Sequence, residues 1–226
     1  MTRLIIVRHA EAAGNRERFF QGHSDGAVSE KGRQQLCALR ERFRDIKFDA
    51  IYSSPLSRAV ETAEAVNAFM RLPIITDSRL EEINGGKLEG VKWAQLPELF
   101  PEQAYNWTAA PWDFAPEGGE TMRECQERMW DAVLSITAEN DGKTVVVCTH
   151  GCALRALLCR AKRWDITQLN EVEWCDNTGI SILDIENGEP TLISENDASH
   201  LSGELSTFAG QSWWRKEERG KMLFDD

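Results

Sequence analysis

Residues 4–11 read Leu-Ile-Ile-Val-Arg-His-Ala-Glu, an aliphatic run that stops abruptly at Arg8 and His9. A run of this length is typical of a buried strand, most often a parallel strand covered on both faces. The segment Lys143 to Cys148 has the same form and leads through Thr149 to His150. Ligands of open α/β sheets lie beyond the carboxyl ends of the strands. The two segments therefore predict a sheet that brings both histidines to one edge.

Other aliphatic runs alternate with apolar residues at helical spacing along the chain. Strands are predicted over residues 48–52, 73–76 and 180–185, and helices from Ser29, from Pro55, from the Thr121-x-x-Glu124 capping box to Glu139, and after Gly151. Pro55 is predicted within the first helical turn, where its missing N–H costs nothing. This alternation predicts an α/β fold, a three-layer α/β/α sandwich with a mostly parallel central sheet.

Residues 91–120 interrupt the alternation with three tryptophans and four of the seven prolines. Such a stretch predicts an irregular insertion or lid. The length of 226 residues predicts a single domain over residues 1–226. We expect the tail, residues 196–226, to pack on the body or on another subunit. The second alternative would make the protein a homodimer. Trp213 and Trp214 are the most apolar feature of the tail.

The composition excludes several classes of partner. Lys plus Arg is 26 against 37 Asp plus Glu, a net charge of −11, which argues against nucleic acid and anionic membranes as partners. A small anionic substrate is still allowed, because clustered arginines can outweigh a diffuse negative surface. No apolar run approaches the roughly 20 residues of a membrane span, and the first residues do not resemble a secretory signal. The six cysteines show no metal-type spacing, so we expect reduced thiols and a cytoplasmic protein.

Arg58 is a third candidate site residue, after the two strand-end histidines. It follows the predicted strand over residues 48–52 and the sequence Ser53-Ser54-Pro55. In the first turns of a helix, a guanidinium lies near free backbone N–H groups. Together they form an anion site. Arg58 is therefore expected close to the two strand-end histidines.

These segments, taken in order, resemble the histidine phosphatase superfamily, which contains cofactor-dependent phosphoglycerate mutases and their phosphatase relatives. The matching segments are Arg8-His9-Ala10-Glu11, Asn15, Ser53-Ser54-Pro55-Leu56-x-Arg58-Ala59-x-x-Thr62-Ala63, Leu80-x-Glu82-x-x-x-Gly86-x-x-Glu89-Gly90, Gly118-Gly119-Glu120-Thr121 and Thr149-His150-Gly151. One position departs from the family pattern, because Ala10 stands where Gly usually follows the histidine. If Ala10 keeps an ordinary backbone conformation, this change is nearly neutral.

The resemblance implies that His9 is a nucleophile that forms a phosphohistidine. It also implies catalytic roles for Arg8, Arg58 and His150, which would stabilise the negative charge on the phosphoryl oxygens. Glu82 is the expected general acid, protonated near neutral pH, and the adjacent Glu81 is the alternative. Substrate-binding positions are expected at Asn15, Gln21, Gly22 and Gly151. No metal is implied.

The resemblance does not decide between water and a sugar-acid hydroxyl as the acceptor of the phosphoryl group. A mutase must hold a bisphosphorylated intermediate and would use 2,3-bisphosphoglycerate as its cofactor. Residues 91–120 contain only one basic residue, Lys92, and many aromatic ones. This composition favours a phosphatase, with no cofactor, acting on a small phosphorylated substrate. A noncatalytic phosphoester-binding protein on the same fold is the alternative of another class.

Overall fold

The computed structural model describes residues 1–211 and Phe224. The expected tail segment with Trp213 and Trp214 lies outside these residues. A six-stranded sheet in the order β3-β2-β4-β1-β5-β6 forms the centre of the fold. Its strands are β1 (Thr2–Arg8), β2 (Ala50–Ser53), β3 (Ile74–Thr76), β4 (Thr144–Thr149), β5 (Ile180–Glu186) and β6 (Glu189–Asp197).

The strands β3, β2, β4 and β1 run parallel to one another, whereas β5 and β6 are antiparallel to their neighbours. The mostly parallel sheet predicted from the sequence is confirmed. In the register, Arg8 lies opposite Thr149. The two longest aliphatic strands therefore end side by side, and each next residue is a histidine.

Seven α-helices and several short 3₁₀-helices surround the sheet in the described part of the chain. The α-helices are α1 (Ala13–Glu17), α2 (Glu30–Arg42), α3 (Ser57–Val66), α4 (Leu96–Leu99), α5 (Pro101–Ala109), α6 (Met122–Glu139) and α7 (Gly151–Ala161). Helix α6 begins with the predicted capping box, in which Glu124 N–H donates to Thr121 Oγ1 at 3.1 Å. Helix α3 begins later than predicted, with Leu56 as N-cap, so Pro55 precedes the helix.

Two hydrophobic clusters cover the two faces of the sheet. Alternate residues of β1 and β4 point into the larger one, which contains α6 and α7, while the intervening residues face α2 and α3. This arrangement confirms the three-layer sandwich, and it explains why β1 and β4 are apolar on both faces.

Two regions differ from the sequence prediction. Strand β6 was not predicted, because this edge strand alternates between exposed and half-buried residues and lacks an aliphatic run. Residues 91–120 contain α4, α5 and the 3₁₀-helices Trp93–Gln95 and Pro111–Asp113, so the insertion is more regular than expected. The division into domains stays a prediction, as does the packing of the tail.

The cysteines of the described chain are all free thiols, with Cys37 exposed and the other five buried. Among the helices described, none combines the length and the apolar character that a membrane span needs.

Candidate active site

The ends of β1 and β4 bring the two histidines together. The His9 and His150 ring centroids lie 5.0 Å apart, and both side chains are buried. The His9 N–H donates to the Thr149 carbonyl at 2.9 Å, and Asn177 Nδ2 donates to the His9 carbonyl at 2.9 Å. The main chain around His9 is therefore fixed by the neighbouring strand and by the loop before β5.

The His9 ring is held as one neutral tautomer. Its Nδ1 lies 2.7 Å from the Ala10 carbonyl oxygen, which can only accept, so Nδ1 carries the proton. Burial lowers the pKa of His9 well below its usual value, and the charges of Arg58 and Arg8 lower it further. The lone pair of a neutral ring with this hydrogen bond is on Nε2, as a nitrogen nucleophile requires.

Ala10 lies in ordinary backbone conformation, since it is not among the non-glycine residues with positive φ in the described chain. Its N–H donates to Thr62 Oγ1 at 3.0 Å, and the side chain is fully buried. The departure from the family pattern therefore causes no backbone strain at this position.

The guanidinium groups of Arg8 and Arg58 are buried and are oriented by backbone carbonyls. Arg8 donates through Nη1 to the Cys175 carbonyl. Arg58 donates to the Gly22 carbonyl at 2.6 Å and to the Ser24 carbonyl at 2.9 Å. Burial lowers the pKa of both arginines from a very high value.

His150 is the N-cap residue of α7, and its Nε2 lies 2.8 Å from Ser54 Oγ. The same Ser54 oxygen accepts from the Leu56 N–H at 3.3 Å, so its hydroxyl hydrogen is available to His150 Nε2. Burial and the nearby Arg58 hold the pKa of His150 well below its usual value. The neutral ring then presents Nδ1–H as a donor.

Three buried nitrogens of the two arginines and His150 have no hydrogen-bond partner among the described residues: Arg8 Nε, Arg58 Nε and His150 Nδ1. Gln21, which lines the same cleft, has an unpartnered Nε2 as well. An unpaired buried donor costs about 1–3 kcal/mol, and more when the group is charged. Three such donors around His9 are the arrangement that a bound anion would satisfy. We name Arg8, His9, Arg58, Glu82 and His150 the strand-end cluster.

Glu82 lies against the first turn of α7. Its carboxylate accepts from the N–H groups of Cys152 at 3.0 Å, Ala153 at 2.8 Å and Ile83 at 3.0 Å. Glu81 lies elsewhere, with one carboxylate oxygen 3.4 Å from His23 Nδ1. Of these two carboxylates, only Glu82 lines the cleft that contains His9.

A second glutamate organises the loop that holds Arg58. The Glu89 carboxylate accepts from the N–H groups of Gly22, His23, Ser24 and Gly85 at 2.8–3.1 Å. Burial would raise the pKa of Glu89, but the Ser24 hydroxyl and these N–H groups hold it below its usual value. Sequence reasoning placed Glu89 in a motif and assigned it no role.

Arg128 supports the main chain beside Glu82 and was not predicted. It donates to the carbonyls of Arg79 at 2.8 Å and Glu81 at 3.0 Å, and its other edge pairs with Glu120 at 2.6–2.7 Å. A planar guanidinium that makes both sets of contacts connects α6 with the segment that carries Glu82. The sequence signal for this contact was the Gly118-Gly119-Glu120 segment.

The cleft at this edge contains six of the predicted site residues: Arg8, His9, Asn15, Gln21, Glu82 and Gly151. Arg58 and His150 are not part of its lining, although the His150 ring lies beside that of His9. Gly22 also does not line the cleft, since its carbonyl holds Arg58. A Cβ atom at position 151 would lie 3.0 Å from Arg8 Nε, so a side chain there would crowd the Arg8 guanidinium.

The remaining wall of the cleft is aromatic. We name Phe20, Trp93, Trp107 and Trp174 the aromatic wall, and all four line the cleft together with Arg18. Sequence reasoning singled out Trp93 and Trp107 as part of a lid and missed the other three residues. Phe20, Arg18 and Trp174 lie outside residues 91–120, and only the tertiary structure brings them to the cleft.

In the described chain, no three His, Cys, Asp or Glu side chains form a group that could hold a metal ion.

Among curated proteins, phosphoserine phosphatase 1 of Hydrogenobacter thermophilus is 30% identical over 89% of this chain and 95% of its own length. A protein of Arabidopsis thaliana named metal-independent phosphoserine phosphatase is 31% identical over 89% of this chain and 84% of its own. That second name fits the expectation of a reaction without a metal.

Among solved structures, Bacillus stearothermophilus YhfR superposes with a TM-score of 0.86 and 34% identity, covering 89% of this chain and all of that one. The phosphoserine phosphatase of Entamoeba histolytica, solved with 3-phosphoglyceric acid, gives a TM-score of 0.79 at 26% identity over 89% of this chain and all of its own.

The model of the histidine phosphatase superfamily (branch 1) matches residues 4–198, a range that contains the whole sheet except the first two residues of β1. The similar proteins of Hydrogenobacter and Arabidopsis are named as phosphatases. These similarities support an enzyme of the phosphatase and mutase family, and they favour a phosphatase. By this match and by its fold, the chain belongs to the histidine phosphatase superfamily.

Proposed function

We propose that this protein is a metal-independent phosphomonoesterase that acts on small phosphorylated metabolites through a phosphohistidine at His9. The observation that carries the proposal is the group of three buried, unpartnered donors around a neutral imidazole. A phosphoryl group placed there would pair its oxygens with Arg8, Arg58 and His150. The names of the relatives support hydrolysis of a phosphate ester.

In the first step, His9 Nε2 donates its lone pair to phosphorus, and the bond from phosphorus to the ester oxygen breaks. Charge develops on the oxygens that do not bridge, where fixed N–H donors stabilise it without reorganisation. Asn15 and Gln21 line the same cleft and add neutral polar groups.

Glu82 supplies the proton that the leaving alkoxide needs. In the second step it takes a proton from water, whose oxygen attacks phosphorus as the bond to His9 breaks. Inorganic phosphate leaves and neutral His9 is restored. The contacts of Glu82 with α7 keep its carboxylate at the wall of the cleft.

The test is phosphorus NMR of the purified protein with 3-phosphoglycerate, primed with a little 2,3-bisphosphoglycerate, in the presence of a chelator. O-phosphoserine and simple alkyl phosphates are assayed in parallel. Inorganic phosphate as the only product, together with an acid-labile phosphoprotein that His9→Ala abolishes, is the expected result.

Rapid formation of 2-phosphoglycerate would instead identify a mutase that uses 2,3-bisphosphoglycerate as cofactor. Phosphate binding with no turnover of any ester would identify a noncatalytic binding protein. Activity lost in the chelator and restored by a metal ion would overturn the metal-independent mechanism.

A further inference from the structure

We propose that the cleft selects phosphate esters whose alcohol is uncharged and apolar, that it rejects those bearing an ammonium group, and that Trp174 backed by Arg155 makes this choice. The inference rests on the proposed function, since it concerns the alcohol that leaves when the ester is cleaved. It goes beyond that function by naming the chemistry of the alcohol.

The aromatic wall is continuous. The ring centroids of Phe20 and Trp93 lie 5.2 Å apart, those of Phe20 and Trp107 5.2 Å, and those of Trp93 and Trp107 5.4 Å. Trp174 extends the wall, with its ring 6.3 Å from that of Trp107. Because this wall shares one cleft with His9 and Glu82, an alcohol leaving from a phosphate on His9 has indole and phenyl rings beside it.

Aromatic rings that line a cleft can also bind a cation, so the charges around the wall decide what it accepts. Arg155 is buried in α7 and holds its guanidinium 4.3 Å from the Trp174 ring centroid. It donates to the carbonyls of Val172 at 3.0 Å and Leu169 at 2.8 Å, which fix it there. Trp174 lines the cleft and Arg155 does not, from which we infer that the indole lies between this positive charge and the cleft.

A cation on one face of an indole repels a second cation that approaches the opposite face, and the low dielectric of the interior strengthens this repulsion. Among the described residues that line the cleft, Glu82 is the only carboxylate. Its oxygens already accept three backbone N–H groups, and in the proposed mechanism Glu82 holds the proton that the leaving alkoxide takes, so it offers an ammonium group no free negative charge. An ammonium group would therefore lose its water in the cleft without gaining an acidic partner.

An apolar alcohol has no charge to be repelled and no tightly bound water to lose. It buries its surface against the rings and leaves the Arg155–Trp174 contact unchanged. A matched pair of substrates isolates the effect: 2-phenylethyl phosphate and phosphoethanolamine are both esters of primary alcohols that differ in a phenyl or an ammonium substituent on the same carbon. The ammonium group makes ethanolamine the better leaving group, so intrinsic reactivity favours the substrate that we expect to be rejected.

The experiment measures kcat/KM for these two esters and for ethyl phosphate as a small neutral reference. We expect 2-phenylethyl phosphate to be preferred over phosphoethanolamine by about 30-fold or more, within the range that apolar pockets achieve. Equal rates, or a preference for phosphoethanolamine, would overturn the inference. If none of the three esters releases phosphate, the proposed function itself fails, which is a distinguishable result.

Two variants assign the preference to the residues named. Arg155→Met keeps the side-chain volume and removes the charge. It should lower the ratio of kcat/KM for 2-phenylethyl phosphate to kcat/KM for phosphoethanolamine by about 5-fold, because phosphoethanolamine is turned over faster. Trp107→Leu should lower the ratio of 2-phenylethyl to ethyl phosphate by about 10-fold. If Arg155→Met does not fold, as circular dichroism would show, Arg155→Gln replaces it, because it removes the charge and keeps a donor for the two carbonyls, and the same change in turnover of phosphoethanolamine is expected.

A second cation–aromatic pair in the protein provides the control. Lys162 lies 4.9 Å from the Trp164 ring centroid, and neither residue lines the cleft. Lys162→Met should leave both substrate ratios unchanged. A preference that survives both Arg155→Met and Trp107→Leu, or that Lys162→Met alters equally, would overturn the assignment to the aromatic wall and Arg155.

Discussion

The strand-end cluster and the aromatic wall share one cleft but are built by different forces. Backbone groups hold most of the cluster: carbonyls orient Arg58, the Ala10 carbonyl orients His9, and three N–H groups hold Glu82. The wall depends on contacts between rings, with centroids 5.2–6.3 Å apart. Hydrogen bonds to a fixed backbone define positions sharply, whereas ring packing tolerates substitution. The difference suggests that the cluster fixes the chemistry and the wall adjusts the substrate.

The largest expected difference between the two regions is the loss of activity when His9, the proposed nucleophile, is removed. In His9→Ala, we expect kcat for any ester to fall by about a thousand-fold or more, because the proposed mechanism forms the phosphoenzyme on this ring. The measurement is steady-state release of phosphate, with circular dichroism to check the fold. Retention of more than a trace of activity would contradict the role of His9.

The next largest effect concerns the proton donor. Glu82→Gln should lower kcat for ethyl phosphate by about 100-fold, and less for 4-nitrophenyl phosphate, because nitrophenolate leaves without a proton. Glu81→Gln is the matched control, since this neighbour contacts His23 and does not line the cleft. Equal losses for both esters would show that Glu82 acts only on structure.

A smaller effect is expected from changing Glu89, whose carboxylate organises the loop that holds Arg58. Glu89→Gln keeps the shape of the side chain but removes the charge that five hydrogen bonds stabilise. We expect kcat/KM to fall about 10-fold, the scale of one charged hydrogen bond, mainly through a higher KM. An unchanged KM, with all of the loss in kcat, would contradict a role through phosphate binding.

The smallest effect is on stability and depends on pH. Burial keeps the pKa of His9 and His150 low in the folded protein, while in the unfolded chain both titrate near about 6.5. Below that pH the unfolded chain binds more protons, so the free energy of unfolding falls by up to about 1.4 kcal/mol per pH unit for each histidine.

Urea unfolding between about pH 7.5 and pH 5.5 measures this slope, above the range in which most carboxylates titrate. His150→Asn should reduce the slope, whereas Trp107→Leu in the aromatic wall should leave it unchanged. A flat profile for the unmodified protein would contradict the assignment of neutral, buried histidines.

Much of the strand-end cluster was predictable because it follows strands and local motifs. An aliphatic run shows where a buried strand ends, and the next residue then lies at the carboxyl edge of the sheet, as His9 and His150 do. The Leu80-x-Glu82 spacing selected the glutamate that lines the cleft. Strand β6 and the start of α3 were less predictable, because an edge strand and a helix after Pro55 have weaker patterns.

The sequence by itself determined the layered fold, the strand ends and the residues of the strand-end cluster, because these depend on periodicity and on short motifs. Only the tertiary structure decided which residues complete the cleft. Phe20 and Trp174 are far apart in the chain, and no local pattern distinguishes them from ordinary core residues. Their arrival at one cleft depends on how the segments that follow α1 and α7 pack around α5, which is a property of three-dimensional contacts.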